Sequence, residues 1–584
     1  VLALPDGLQR FPADFAWGSA TAAYQIEGGA KADGRGPSIW DTFSHTPFKT
    51  YKNQTGDIAD DHYHRREFAE DIALMKSLGL KHYRLSLSWS RLLPKGRGST
   101  FNQAGLNFYM AIFRLLSDSG IEPLVTLYHW DLPQALEDAY GGWRSQDVVE
   151  DFADFADMAF DAFGTYVKSW LTFNEALTFI GEGYGDGVHA RSSSLPERSS
   201  APGRCSDRRR CAEGDSNLEP VIAAHNVLLA HAAAVGKFRR RFAGQPRYEI
   251  GTTNCGHMTY PLRESDTERN QEFMEGQFGW FFDPVVYGDY PESMKRRVGD
   301  AMPAFTPEQS AALRGSVDFL GVNYYTARWI AVPDKIHRPS PSANGIPFLN
   351  AMFTMTAYDD NRVAIGPRAG SEWLYVVPEG IHDVLVWINN RYPTNPLTGS
   401  PYDLRITENG LAMPFRLELS VSDALNDTFR VDFFRSHIEE VARAIAEGVR
   451  VTAYYAWSLL DNFEWADGYS KRFGIVYVDY ETQTRTAKLS AWWYSALMEA
   501  HAATHRLGPV APRGSPPAAF ASKHTAALAA PLVLFASVAM LAILALARRP
   551  QSSLPNTRVE LPSCPPPTPV AQSRFASHRY NRIP

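Results

Sequence analysis

The 584-residue chain has little cysteine: four residues, with no CxxC pair and no Cys/His cluster at zinc-ligand spacing. This excludes a disulfide-built scaffold and a structural zinc module. It has no excess of positive charge either. With 58 Lys and Arg against 64 Asp and Glu the formal net charge is −6, so the chain offers no basic face to a phosphate backbone, and nucleic acid is not an expected partner. No β-rich run is followed by GxGxxG or by GxxxxGK and Ser or Thr, which removes the two common phosphate-cradling loops. No internal repeat is visible. What the chain does have is a hydrophobic content of 45% and a charged content of 21%, which rules out disorder throughout. Its 14 Trp and 26 Tyr exceed what a simple apolar core needs, so flat polar ligands such as sugars come into view. At this length the chain holds either several small domains or one large barrel with appendages.

Residues 1–506 repeat one unit: a short β-rich run, a polar turn and a helical stretch. Eight such runs are found, at Phe15–Gly18, His82–Trp89, Glu122–His129, Ser169–Asn174, Tyr248–Cys255, Asp318–Tyr325, Leu404–Glu408 and Val451–Trp457. Amphipathic stretches at Arg66–Leu78, Val148–Phe163 and Phe429–Glu447 lie between them. Eight alternating units favour an α/β fold, a (β/α)8 TIM barrel with long loops, over a doubly wound open sheet. Residues 507–524 read as a Pro/Gly/Ala-rich linker. Thr525–Ala547 is 23 residues without a charge, about 34 Å as a helix, and so is expected to cross a bilayer once. The tail 548–584 is rich in Pro and Ser and carries six Arg against Glu560. The positive-inside rule places it in the cytosol, disordered, with the large N-terminal part lumenal or extracellular.

Val1–Leu4 is read as the stub of a removed or truncated signal sequence. The sequons at Asn53 and Asn426 suit a lumenal glycoprotein. Cys205 and Cys211, in a Pro/Gly/Arg loop, either close a small ring in an oxidising compartment or remain thiols. The run Arg204–Arg210 reads as a solvated loop, and His225 and His231 as core or surface residues of a helix.

In such a barrel the chemistry sits where strands end. The ends here carry Gln25, His129-Trp130, Asn174-Glu175, Asn323-Tyr324-Tyr325, Glu408-Asn409 and Trp457. This set suits hydroxyl recognition around two acids, and it contains no metal cluster and no Ser or Cys nucleophile with a His partner. Glu175 and Glu408, 233 residues apart, are expected to meet across the barrel mouth. Cleaving a glycosidic bond takes a proton for the departing oxygen and a carboxylate against the cation-like carbon, which two such groups supply. Arg84, inside the second run, is expected to pair with Glu408 and hold it ionised.

TFNE at Thr172–Glu175, ITENG at Ile406–Gly410, FAWGSATAAYQIEG at Phe15–Gly28 and YHWDLP at Tyr128–Pro133 resemble the signatures of glycoside hydrolase family one, the β-glucosidases and their relatives. GVNYYT at Gly321–Thr326, AWSLLDNFEWADGY at Ala456–Tyr469 and KRFGIVYVDY at Lys471–Tyr480 extend the resemblance over residues 8–500. It implies a retaining β-glycosidase acting on terminal β-D-glucosyl and related β-galactosyl or β-fucosyl groups, with Glu175 as acid/base, Glu408 as nucleophile and no cofactor or metal. It further implies that Gln25, His129, Trp130, Asn174, Glu464 and Trp465 hold the nonreducing sugar, with Trp457 beneath its ring. Asn323 and Tyr325 stand beside the nucleophile, and Trp373 walls the aglycone side. The segment Ala201–Pro220 is similar to plant-type members, in which the two cysteines are bonded.

Three positions bear on subtype. Ala176 stands where the family usually has Pro. Glu464 and Phe473 replace the Ser and Tyr of members acting on phosphorylated sugars, and a carboxylate there repels phosphate. Glu175, rather than Gln, argues against a thioglucosidase. A catalytically silent klotho-like membrane receptor is the rival reading, and a transglycosidase using the same residues is a third.

Overall fold

The computed structural model describes residues 3–506 apart from 65–67, 187–199, 209–210, 333–353 and 415–419. Eight strands close a barrel: β1 Ala16–Ala20, β2 His82–Ser86, β3 Glu122–Tyr128, β4 Ser169–Asn174, β5 Glu249–Cys255, β6 Phe319–Asn323, β7 Asp403–Asn409 and β8 Val451–Trp457. Each pairs in parallel with the next in sequence, and β1 returns to β8 in the register Ala16↔Ala453 to Ala20↔Trp457. Buried on both faces, these strands read as near-continuous apolar runs punctuated by polar residues at their ends. That is why each of the eight sequence runs overlaps a strand. Three runs overshoot: Trp89 opens a short helix after β2, His129 lies just past β3, and Tyr324-Tyr325 lie past the end of β6.

The helices that matter here are α1 Phe68–Ser77, α2 Gln103–Asp118, α3 Val148–Phe163, α4 Ala176–Ile180, α5 Glu219–Arg241, α6 Glu379–Arg391, α7 Thr428–Ala446 and α8 Leu489–Arg506. In α3 the residues Phe152, Phe155, Phe160 and Phe163 fall on one buried face, as the 3.6-residue period requires. Helix α5 has Pro220 in its first turn, Glu219 at its positive end and Arg239–Arg241 in its last turn, each matched to the helix dipole. It is long and apolar enough to cross a membrane, but most of it is buried against the barrel and α3, so it is a core helix. His231 lies on its inner face, between the hydroxyls of Thr172 and Ser316.

The Cys205–Cys211 bond is formed, with the Cα atoms 5.5 Å apart. Arg204 departs from the expected solvated loop: it is buried and ion-paired to Glu213 and Glu219, because the disulfide loop folds back on the start of α5. After β8 the chain runs through Asp461 to Glu464. Asp461 is fully buried and held by Lys488 Nζ at 2.7 Å and Arg472 Nη1 at 2.8 Å. The expected linker, the Thr525–Ala547 segment and the tail lie outside the described residues.

Candidate active site

Both acids sit at strand ends on one rim. Glu175 follows β4 directly and donates its backbone N–H to Thr253 O of β5 at 2.9 Å. Its φ of +51° is left-handed, as are those of Trp130 (+76°) and Trp465 (+49°). Each costs a non-glycine residue roughly 1–2 kcal/mol, and such positions concentrate where a site must be shaped. Glu408 lies in β7, register-paired with Asn323 of β6. One extra residue of β7 stands between the pairs Ile406↔Val322 and Glu408↔Asn323, a bulge of the kind that re-aims side chains at a barrel rim.

The two carboxyls have different surroundings. Glu408 accepts from Arg84 Nη1 at 2.5 Å through Oε1 and from the Tyr325 hydroxyl at 2.6 Å through Oε2. Glu175 accepts one amide hydrogen bond, from Asn323 Nδ2 at 2.6 Å. Burial, and then the negative charge of Glu408, push the Glu175 carboxyl up to about 8, so it carries its proton at neutral pH. Arg84 also donates to Asn174 Oδ1 at 2.7 Å, and Asn323 Nδ2 reaches the same oxygen at 3.1 Å. One continuous network therefore joins the acids. Asn323, expected beside the nucleophile, is its strand neighbour, yet its amide serves Glu175.

The remaining expected residues line the same mouth. Asn174 Nδ2 meets His129 Nε2 at 2.9 Å, and the Asn174 carbonyl accepts from Trp130 Nε1 at 3.0 Å. The His129 ring is nearly parallel to those of Trp457 and Trp465, with centroids 6.0 and 5.9 Å away. Burial and the nearby Arg84 charge lower its basicity well below the usual value, leaving a neutral ring. Gln25 Nε2 donates to Asn462 Oδ1, Phe463 O and Glu464 Oε2 at 3.0–3.2 Å. The buried Gln25 Oε1 has no partner among the described residues, an acceptor available to a hydroxyl. Burial, Asp467 and Glu408 push the Glu464 carboxyl well above its ordinary range. Trp373 is half-buried, its ring 5.6 Å from that of Tyr325, whereas Phe473 is buried edge-on against Tyr325 at 6.3 Å.

Among the described residues no group of three or more His, Cys, Asp or Glu is placed to hold a metal ion. Three polar residues of this network carry no mark in the sequence: Asn462, two positions before Glu464 in the same motif, Thr407, inside ITENG, and Thr253, in the fifth run.

Residues 8–503 match the model of glycosyl hydrolase family 1. The chain belongs to that family. It is 45% identical over 493 residues to beta-glucosidase 24 of rice, Oryza sativa subsp. japonica, covering 83% of this chain and 92% of that one. Among solved structures it is similar to a rice β-glucosidase variant in a covalent complex with Glc, with TM-score 0.77, 39% identity, and 85% and 99% of the two chains covered. A family 1 β-glucosidase from the fungus Humicola insolens in complex with glucose gives TM-score 0.76 at 40% identity, with the same coverage. The chain is thus a β-glucosidase-like retaining glycosyl hydrolase, and the silent-receptor alternative is not favoured: both carboxyls that the reaction needs are present at the rim.

Proposed function

We propose that Glu408 is the nucleophile and Glu175 the acid/base of a double displacement on a terminal β-D-glucosyl group. Glu408 attacks the anomeric carbon, and the bond to the aglycone breaks with its electron pair going to the departing oxygen. That oxygen takes the Glu175 proton, leaving a glycosyl ester on Glu408. Once esterified, Glu408 no longer carries the charge that helped raise Glu175. The Glu175 carboxyl then falls, so the same group accepts a proton from water as water attacks the anomeric carbon and the ester bond breaks. The observation that carries this assignment is the inequality of the two carboxyls: a guanidinium and a phenol on one, burial with only neutral donors, the Asn323 amide and the Thr178 hydroxyl, on the other.

Gln25, His129, Asn174 and Glu464 bind the sugar hydroxyls, and Trp457 offers a flat apolar face to its C–H groups. Trp373 bounds the aglycone. Glucose is favoured over galactose or fucose by the company of the chain, whose relatives include a raucaffricine-O-β-D-glucosidase of Rauvolfia serpentina, 43% identical over 497 residues, 83% of this chain and 90% of that one. Glu408→Ala lowers kcat roughly 10⁴-fold or more in this account. A 2-deoxy-2-fluoroglucoside with a good leaving group adds one fluoroglucosyl mass to the wild-type peptide that contains Glu408. Label on any other peptide, or full turnover by Glu408→Ala, refutes the assignment.

We also read the chain as a single-pass membrane protein. The charge-free run Thr525–Ala547 anchors it, residues 507–524 are the spacer, 548–584 the cytosolic tail, and residues 1–506 the lumenal or extracellular enzyme. Surface exposure of both sequon residues, Asn53 and Asn426, and a disulfide at Cys205–Cys211 agree with an oxidising compartment.

A further inference from the structure

We propose that Thr407 is a positioning residue for the acid/base, its hydroxyl anchoring the Asn323 amide from behind so that Nδ2 is held against Glu175. Thr407 is fully buried at the β7 bulge, where the extra residue lets both it and the adjoining Glu408 reach polar partners. Its Oγ1 receives a hydrogen bond from Thr253 Oγ1 at 3.2 Å and donates to Asn323 Oδ1 at 2.6 Å. With Oδ1 held there, Nδ2 must point the other way, and it does, spending its two protons on Glu175 Oε1 and Asn174 Oδ1.

The far end of the relay fixes the same direction. Arg84 can only donate, so the Asn174 atom it meets at 2.7 Å is an oxygen, and an oxygen needs a donor from Asn323. The Asn174 amide nitrogen is then left for His129 Nε2, which accepts and places the imidazole proton on Nδ1. At the near end, Gly321 makes room: a Cβ there would lie 2.2 Å from Thr253 Oγ1. The path Thr253, Thr407, Asn323 and Glu175 thus has one polarity throughout.

Without the Thr407 hydroxyl, Asn323 Oδ1 is a buried acceptor with no donor, and the amide is no longer anchored on that side, so its Nδ2 contact with Glu175 loosens. The Nδ2 bond favours the charged carboxylate, so its loosening pushes the Glu175 carboxyl further up. Glu175 then holds its proton more tightly. This inference rests on Glu175 being the acid/base, so Glu175→Gln is measured alongside.

In the full chain, Thr407→Val, which keeps the shape and removes the hydroxyl, moves the alkaline limb of kcat/KM to higher pH. It lowers kcat/KM about tenfold for an aryl glucoside with a poor leaving group and less than about threefold for an activated one. Thr407→Ser restores the wild-type limb. A wild-type limb in Thr407→Val, or an equal displacement in Thr407→Ser, overturns the relay while the limb's loss in Glu175→Gln leaves the acid/base assignment standing. A limb that persists in Glu175→Gln removes that assignment and the relay with it. Should Thr407→Val not fold, Thr407→Ala against Thr407→Ser isolates the hydroxyl, since both lack the methyl group. Identical limbs in that pair overturn the relay.

Discussion

Glu175→Gln should abolish a specific feature of the pH profile. A carboxyl at its ordinary 4.5 is protonated in about 0.3% of molecules at pH 7, whereas one raised to about 8 is protonated in about 90%. Burial beside Glu408 therefore enriches the proton-donating form roughly 300-fold at neutral pH. The sign follows from the role. Donation needs the protonated form, so kcat/KM is full below the raised value and lost as pH climbs through about 8. The assay is kcat/KM from pH 5 to 9.5 for two aryl glucosides that differ in leaving-group acidity. Gln cannot give up a proton, so the variant should lose about 10²–10⁴-fold on the poor leaving group, far less on the good one, and show no alkaline limb on either. Two results would refute the reasoning: a wild-type limb within the ordinary carboxylate range, or a limb that survives in the variant.

The residue after the Glu408-Asn409 strand end is equally constrained: a Cβ on Gly410 would lie 1.8 Å from Trp457 O. Gly410→Ala should lower stability by about 1–3 kcal/mol, read by thermal denaturation, and cut kcat/KM about 100-fold by displacing Glu408 from its partners. Wild-type values of both would show the rim to be more pliant than this. For the anchor, full-length chain should stay with membranes through alkaline carbonate extraction, and a chain lacking 525–547 should be released. Release of both forms ends the membrane reading.

Much of the barrel was legible because strands buried on both sides have few ways to be written: β3, β4 and β8 are runs of aromatic and branched residues ending in polar groups. The acids were legible for a related reason, since TFNE and ITENG combine strand endings with residues of fixed chemistry. What could not be read was the side-chain wiring. The resemblance sets Asn323 beside the nucleophile, and it does pair in register with Glu408, but its amide is spent on Glu175; the β7 bulge shifts the register by one residue, and no local pattern marks a bulge. Thr253 and Thr407 matter through distances of 2.6–3.2 Å between strands far apart in sequence, and threonine in a strand is ordinary. Arg204 looked like a surface charge because arginines surround it, and its burial depends on where the disulfide loop lands.

The buried pair of Asp461 and Lys488 ties the loop carrying Glu464 to the residue just before α8. The last helix is therefore a fastening of that loop and not an overhang. Trimming into Lys488 would leave the buried Asp461 carboxylate with Arg472 as its remaining cationic partner and loosen the loop that carries Glu464, however far from the two acids the cut was made.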